Sequence, residues 1–309
     1  MERFSFGEAI GAGFRVIARY PLAVPIWAAV YVLFVAVPTI AVLAHVLPAA
    51  IASLQDAALN GHGRPDPAQI MALRARTFGW QPALWLLQVA VHTVVMAAVF
   101  RAVLEPQNSR WAFLRLGRQE LWLGLTYLVL MVMTAIMIVM LFIPIAIASA
   151  IIAGVAQHGG PPPTGAAMLL TVIGLAGVGV IVWVLLRLSL ALPMSFAQAR
   201  FMLYESWDLT HGQAFRMFLV YLVLGLGVVL FELAVAAVAG MTFLPALRHA
   251  AWAGGVGFEG LMSVIHQELP VLAGVVVVVA ILAMAFHAIL IAPLAEIYRE
   301  VTAKAPPAA

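Results

Sequence analysis

Apolar positions in this chain come in long blocks, and the polar positions collect in short segments between them. From Leu121 to Leu186 there is no Asp, Glu, Lys or Arg. As one helix rising about 1.5 Å per residue, that run would measure about 99 Å against a hydrocarbon core of about 30 Å, so it must cross a bilayer twice. The break falls at Gly159-Gly160-Pro161-Pro162-Pro163-Thr164-Gly165, which joins helix breakers to rigid prolines. A crossing needs about 20 mostly apolar residues. That requirement predicts six spans near residues 21–45, 81–104, 121–155, 167–193, 217–240 and 269–294. The third is too long for a simple crossing and is expected to tilt or to project beyond the headgroups. The predicted fold class is all-α: a polytopic helical membrane protein with six transmembrane helices and a single membrane domain over 1–309.

The polar segments carry their own local code. Ser5-Phe6-Gly7-Glu8 has capping-box spacing, so a helix should start at Ser5. Its Ile10, Phe14 and Ile17 fall opposite Glu8 and Arg15, which suits a helix lying in the membrane interface. The segment WAFLRLGRQELW, from Trp111, mixes apolar residues with Arg115 and Arg118 in the same way. In ESWDLTHGQAF, Thr210 and Gln213 form a second capping-box spacing ahead of the fifth span. After the Asp66-Pro67-Ala68-Gln69 start signal, a short external helix bearing Arg74 and Arg76 is predicted. Three span exits share a punctuation: Arg101 before Pro106, Arg187 before Pro193, and His287 before Pro293. Each proline is expected to end or bend its helix. Together these features suggest three parallel units, 1–105, 106–195 and 196–299, each a cytoplasmic surface helix followed by two spans, with a flexible tail at 300–309.

Composition strengthens the membrane reading: the chain is 65% hydrophobic and 9% charged, with a mean hydropathy of +1.07. Orientation follows from the basic residues, which cytoplasmic segments retain. Arg3, Arg15, Arg19, Arg101, Arg110, Arg115, Arg118, Arg187, Arg200, Arg216, Arg299 and Lys304 fall on one side, and Arg64, Arg74, Arg76 and Arg248 on the other. Both termini are therefore expected in the cytoplasm of a bacterial cell, with the chain in the inner membrane. The first apolar run is span-length and follows Glu2 and Glu8, so it is read as a retained span rather than a cleaved signal. The net charge of +3 is explained by topology, and nucleic acid is not an expected partner. With no cysteine, disulfides and cysteine-based zinc sites are excluded.

No metalloprotease H-E-x-x-H, G-x-S-x-G elbow or phosphate-binding G-x-x-x-x-G-K-[ST] loop occurs, and the eight histidines lack metal-ligand spacing. No metal, cofactor or catalytic residue is predicted. The glycines from Gly174 to Gly179 read as close helix packing. Glu232 lies about 24 Å along its helix from Arg216, deep in the apolar run. It is either a proton, cation or substrate-path group, or a protonated carboxyl bonded to a neighbouring helix. His92, near the middle of the second span, is a candidate partner for it. Arg101 and Arg187 are either lipid-phosphate anchors or, with His287, a basic ring holding a headgroup or another anion. His287 alone reads as a satisfied interfacial histidine, and Trp207 as a headgroup-layer anchor.

FSFGEAIGAGFRVIARYP, WAFLRLGRQELW and RLSLALPMSFAQARFMLYESWDLTHGQAFRMF resemble segments of bacterial membrane proteins related to the membrane domain of glycerophosphodiester phosphodiesterases. The resemblance implies an architecture without the catalytic barrel, for which a chain of 309 residues with six spans has no room. Its activity is not carried over. Three function classes stand: lipid-handling or small-molecule transport, a non-catalytic scaffold or accessory subunit, and, least favoured, an intramembrane enzyme. Membrane lipids are the expected partners, with a protein partner or self-association left open.

Overall fold

The computed structural model describes residues 4–59, 67–107, 109–157, 164–252 and 269–303, and all regular structure among them is helical. A surface helix α1 (Phe6–Arg19) leads into α2 (Ala23–Tyr31), a π-helical turn (Val32–Ala36) and α3 (Val37–Leu59). Next come α4 (Pro67–Phe78), α5 (Gln81–Leu104) and a tight turn at Arg110–Phe113. The chain continues through α6 (Arg118–Gln157), α7 (Thr164–Leu188), α8 (Ala191–Gln198) and α9 (Tyr204–Leu209). It finishes with α10 (Ala214–Trp252) and α11 (Leu269–Ala303).

Among the described residues, six helical stretches are long and apolar enough to cross a membrane: Ala23–Val46, Gln81–Leu104, Arg110–Val155, Gly165–Gln198, Ala214–Val238 and Gly274–Ala303. The protein is thus an all-α, multi-pass membrane protein. The short helix expected after Asp66 starts at Pro67, where a missing N–H costs nothing in a first turn. Arg3, Arg64, Asp66, the Gly159–Pro163 turn and Lys304 lie outside the described residues.

Several local predictions give way to tertiary packing. The buried side of α1 is Ala9, Ala12 and Val16, whereas Phe14 points outward. Small residues allow a close backbone approach: a Cβ added at Gly13 would collide with the Ile289 backbone and sit 2.9 Å from the Ala288 carbonyl oxygen. The WAFLRLGRQELW segment forms no interfacial helix. Trp111, Ala112 and Phe113 take left-handed backbone angles (φ 55°, 54° and 66°) before α6 begins at Arg118. Pro293 does not end the last helix, which passes through it to Ala303 and so includes the first residues assigned to the tail. Pro38 follows the π-helical turn, in which the Val37 N–H reaches back five residues to Val32. This widening accommodates a residue that cannot donate to the helical ladder.

By internal contacts the chain forms two compact units. One comprises Met1–Ala9, Leu116–Tyr221 and Pro293–Ala309. Here α6 packs on α7 and α8. A Cβ at Gly177 would press into the Leu141 side chain, 2.9 Å from Cδ2, so the glycine sets that helix spacing, while Gly179 has nothing within 4 Å. Thr126 donates to Ser195 Oγ at 2.9 Å, and the same oxygen accepts the Met202 N–H at 3.1 Å. In α6, Leu123, Thr126 and Leu130 are buried, whereas Ile136, Met140, Ile143, Ile147 and Ile151 are exposed apolar residues. At about 60 Å, α6 is roughly twice the hydrocarbon thickness.

The other unit comprises Ile10–Arg115 and Leu222–Ala292. Its best-packed part is the second half of α5, where Val95 through Val103 are all buried, together with Trp27 and Ala28 of α2.

Candidate anion-binding site

The α7–α9 joint is built around the end of a helix. A last-turn carbonyl has no intrahelical partner. Here the Arg187 carbonyl accepts two hydroxyls, from Ser206 at 2.9 Å and Thr210 at 3.0 Å. Two features place α9 there. The chain breaks after Leu188 because the Pro193 ring excludes a helical carbonyl four residues back, and Pro193 itself fits within the first turn of α8. The left-handed Ala199 then ends α8. Thr210 therefore does not serve as the N-cap of a capping box. Its single hydroxyl proton is shared among the Arg187, Ser206 and Trp207 carbonyls, all within reach, and the buried Gln213 amide finds no hydrogen-bond partner among the described residues.

This joint fixes the Arg187 side chain. Only 7% exposed, its guanidinium carbon lies 4.8 Å from the Trp207 ring centre and 5.7 Å from that of Trp183. The two indoles meet edge-to-face at 5.1 Å, forming a two-walled aromatic corner. Nη2 lies 3.3 Å from His211 Nδ1, and Nε is buried without a hydrogen-bond partner among the described residues. Among the described residues no carboxylate pairs with Arg187; Glu205 and Asp208 of α9 are exposed. A guanidinium carries five donors and a permanent charge. Aromatic faces attract the charge without accepting its planar hydrogen bonds in the way an oxyanion does. The site is therefore an arginine held in place with unused donor capacity and no counter-ion among the described residues.

Arg101 is different. It is 2% exposed, and Nη1 donates to the Phe113 carbonyl. Its charge fastens the left-handed turn, whose Ala112 carbonyl also accepts the Trp27 indole N–H at 2.8 Å. Pro106 contributes its carbonyl to the Tyr20 hydroxyl at 3.3 Å. Arg101 and His287 belong to one compact unit and Arg187 to the other.

His92 meets His287, not Glu232: the two imidazoles are edge-to-face with centres 4.5 Å apart. His287 is not a satisfied interfacial histidine, because its Nε2 is buried without a hydrogen-bond partner among the described residues. Glu232 is exposed on α10 and makes no hydrogen bond or ion pair with another described residue. At the chain start, Ser5 Oγ accepts the Glu8 N–H at 3.4 Å, but the Ser5 N–H donates to Glu300 at 2.8 Å rather than to Glu8. Glu300 and the Ser206–Thr210 clasp escape a reading of local spacing, since their partners are distant in sequence.

No protein-family model, curated protein or solved structure matches this chain. The joint's chemistry rests on its own geometry: a fixed, partner-poor cation beside two indoles and an imidazole suits a phosphate or carboxylate on an amphiphile.

Proposed function

We propose that this protein is a lipid-handling protein of a bacterial inner membrane, with both termini cytoplasmic, and that Arg187 seats the phosphate of an anionic lipid. The observation that carries this reading is the buried Arg187 guanidinium, which has no carboxylate partner among the described residues and has an Nε left unbonded. Trp183 and Trp207 suit the glycerol and ester region, where indoles commonly reside. We place the chain with stand-alone relatives of the glycerophosphodiester phosphodiesterase membrane domain and assign it no catalysis of its own.

Native mass spectrometry of protein extracted with its lipids tests the proposal, because a lipid and a free phosphate differ in mass. Wild type should retain an anionic phospholipid that Arg187→Gln loses while remaining folded. Equal adducts on both proteins, or free phosphate alone, would overturn it.

An accessory-subunit reading is favoured by Glu232, whose exposed carboxyl on an apolar helix is expensive in lipid unless a neighbour satisfies it. If so, Glu232→Leu should abolish a co-purifying complex and leave lipid retention intact.

A further inference from the structure

A second place in the molecule has the features of a binding site, and it is independent of Arg187. Where α1 gives way to α2, a cavity of about 300 Å³ opens between the Arg19-Tyr20-Pro21-Leu22 bend and the Ser109–Phe113 turn. Its walls are fixed. Phe113 packs edge-to-face on Tyr20 at 4.8 Å, and Tyr20 is tied to the Pro106 carbonyl. The Trp27 indole and Arg101 hold the two carbonyls of the turn itself.

Three consecutive non-glycine residues in left-handed conformation are an unusual way to build a wall. Two of them are held from outside the turn: the Ala112 carbonyl by the Trp27 indole and the Phe113 carbonyl by Arg101. The result is a preformed pocket at the junction of a surface helix and a span, rather than a gap between loosely packed side chains.

Its chemistry is divided. Leu22 and Ile26 make one side apolar, and Leu22 is 77% exposed at the mouth. Arg19 lines the opening with its guanidinium 5.6 Å from the centre of the Tyr20 ring. Arg110 adjoins Ser109 and is exposed, and neither arginine has a carboxylate partner among the described residues. An apolar recess with Arg19 in its lining and the exposed Arg110 one residue beyond its Ser109 wall, neither paired with a carboxylate among the described residues, complements an amphiphile with an anionic head. At a span boundary, the occupant of that chemistry is the membrane itself.

We infer that the Arg19–Phe113 pocket is a binding site for one anionic phospholipid, with its phosphate on Arg19 and Arg110 and the upper part of an acyl chain against Leu22 and Ile26.

The test places the photoreactive residue benzoylphenylalanine at position 22 of the full-length chain. The protein is reconstituted into vesicles of equal parts phosphatidylglycerol and phosphatidylcholine, and the adducts are identified by mass. Phosphatidylglycerol should exceed phosphatidylcholine at least fivefold, whereas the same probe at the exposed Leu121 should report the bulk ratio. Arg19→Gln/Arg110→Gln should bring the position-22 ratio to that of the bulk. Ile26→Trp, which fills the recess, should remove the adduct. Arg187→Gln should leave it unchanged, which separates this site from the one proposed above. Equal labelling by both lipids, a preference surviving the double substitution, or cross-linking to another protein segment would each overturn the assignment.

Discussion

Replacing Arg187 by Gln separates a structural role from a binding role because the two use different atoms. The clasp from Ser206 and Thr210 engages the Arg187 carbonyl, which every residue possesses, so the α7–α9 joint should survive. What disappears is the guanidinium, with two cation–π contacts worth about 0.5–1 kcal/mol each. Against that loss stands the relief of a buried charge that no carboxylate among the described residues compensates. Lipid-free protein should therefore change in stability by no more than about 1–2 kcal/mol.

Binding should change much more. A hydrogen bond to a charged group contributes about 1.5–3 kcal/mol, which corresponds to roughly a ten- to hundredfold weaker affinity. Thermal unfolding in detergent with increasing phosphatidylglycerol reads both effects, since a ligand that binds only the folded state raises the midpoint with its concentration. Wild type should show that rise; Arg187→Gln should need roughly ten- to hundredfold more lipid for the same shift. Arg187→Lys should fall between, as a point charge without the planar fork. A dependence within twofold of wild type would refute the reasoning, as would collapse of the lipid-free variant. The latter would make Arg187 a structural residue.

Four further variants test how the packing is held. Ser206→Ala/Thr210→Val strips both hydroxyls from the Arg187 carbonyl and should cost about 1–3 kcal/mol, seen as a lower unfolding midpoint without lipid. Gly13→Ala and Gly7→Ala, in the same helix, should differ in sign. The first collides with the Ile289 backbone and should cost about 1–3 kcal/mol, whereas the second meets nothing within 4 Å and should stabilise by about 0.5–1 kcal/mol, as thermal denaturation would show. Ala112→Gly relieves a left-handed residue and should raise the midpoint by an amount equivalent to roughly 1 kcal/mol. A lower midpoint would mean that the turn is not under backbone strain.

The sequence by itself determined the elements. An uncharged run of span length has to become a membrane helix because lipid offers no partner for an open backbone, so the six crossings were legible from composition and length. Pro193 and the Pro67 start were legible too, since proline acts through its own ring and its missing N–H. Tertiary structure alone decided which groups meet. Arg187 acquired Trp207 and His211 from a helix and turn some twenty residues away, and His92 met a histidine from the last helix instead of Glu232. Arg101 found its acceptor in a left-handed turn that no sequence signal announced. Even the buried face of α1 was not readable, because small residues rather than large ones turned inward. The reason is physical. In water, hydropathy distinguishes the packed face of a helix from the exposed one; in a bilayer the lipid is as apolar as the protein interior, so packing is decided by shape and by a few polar contacts. Those contacts join residues far apart in the chain, beyond the reach of periodicity and spacing.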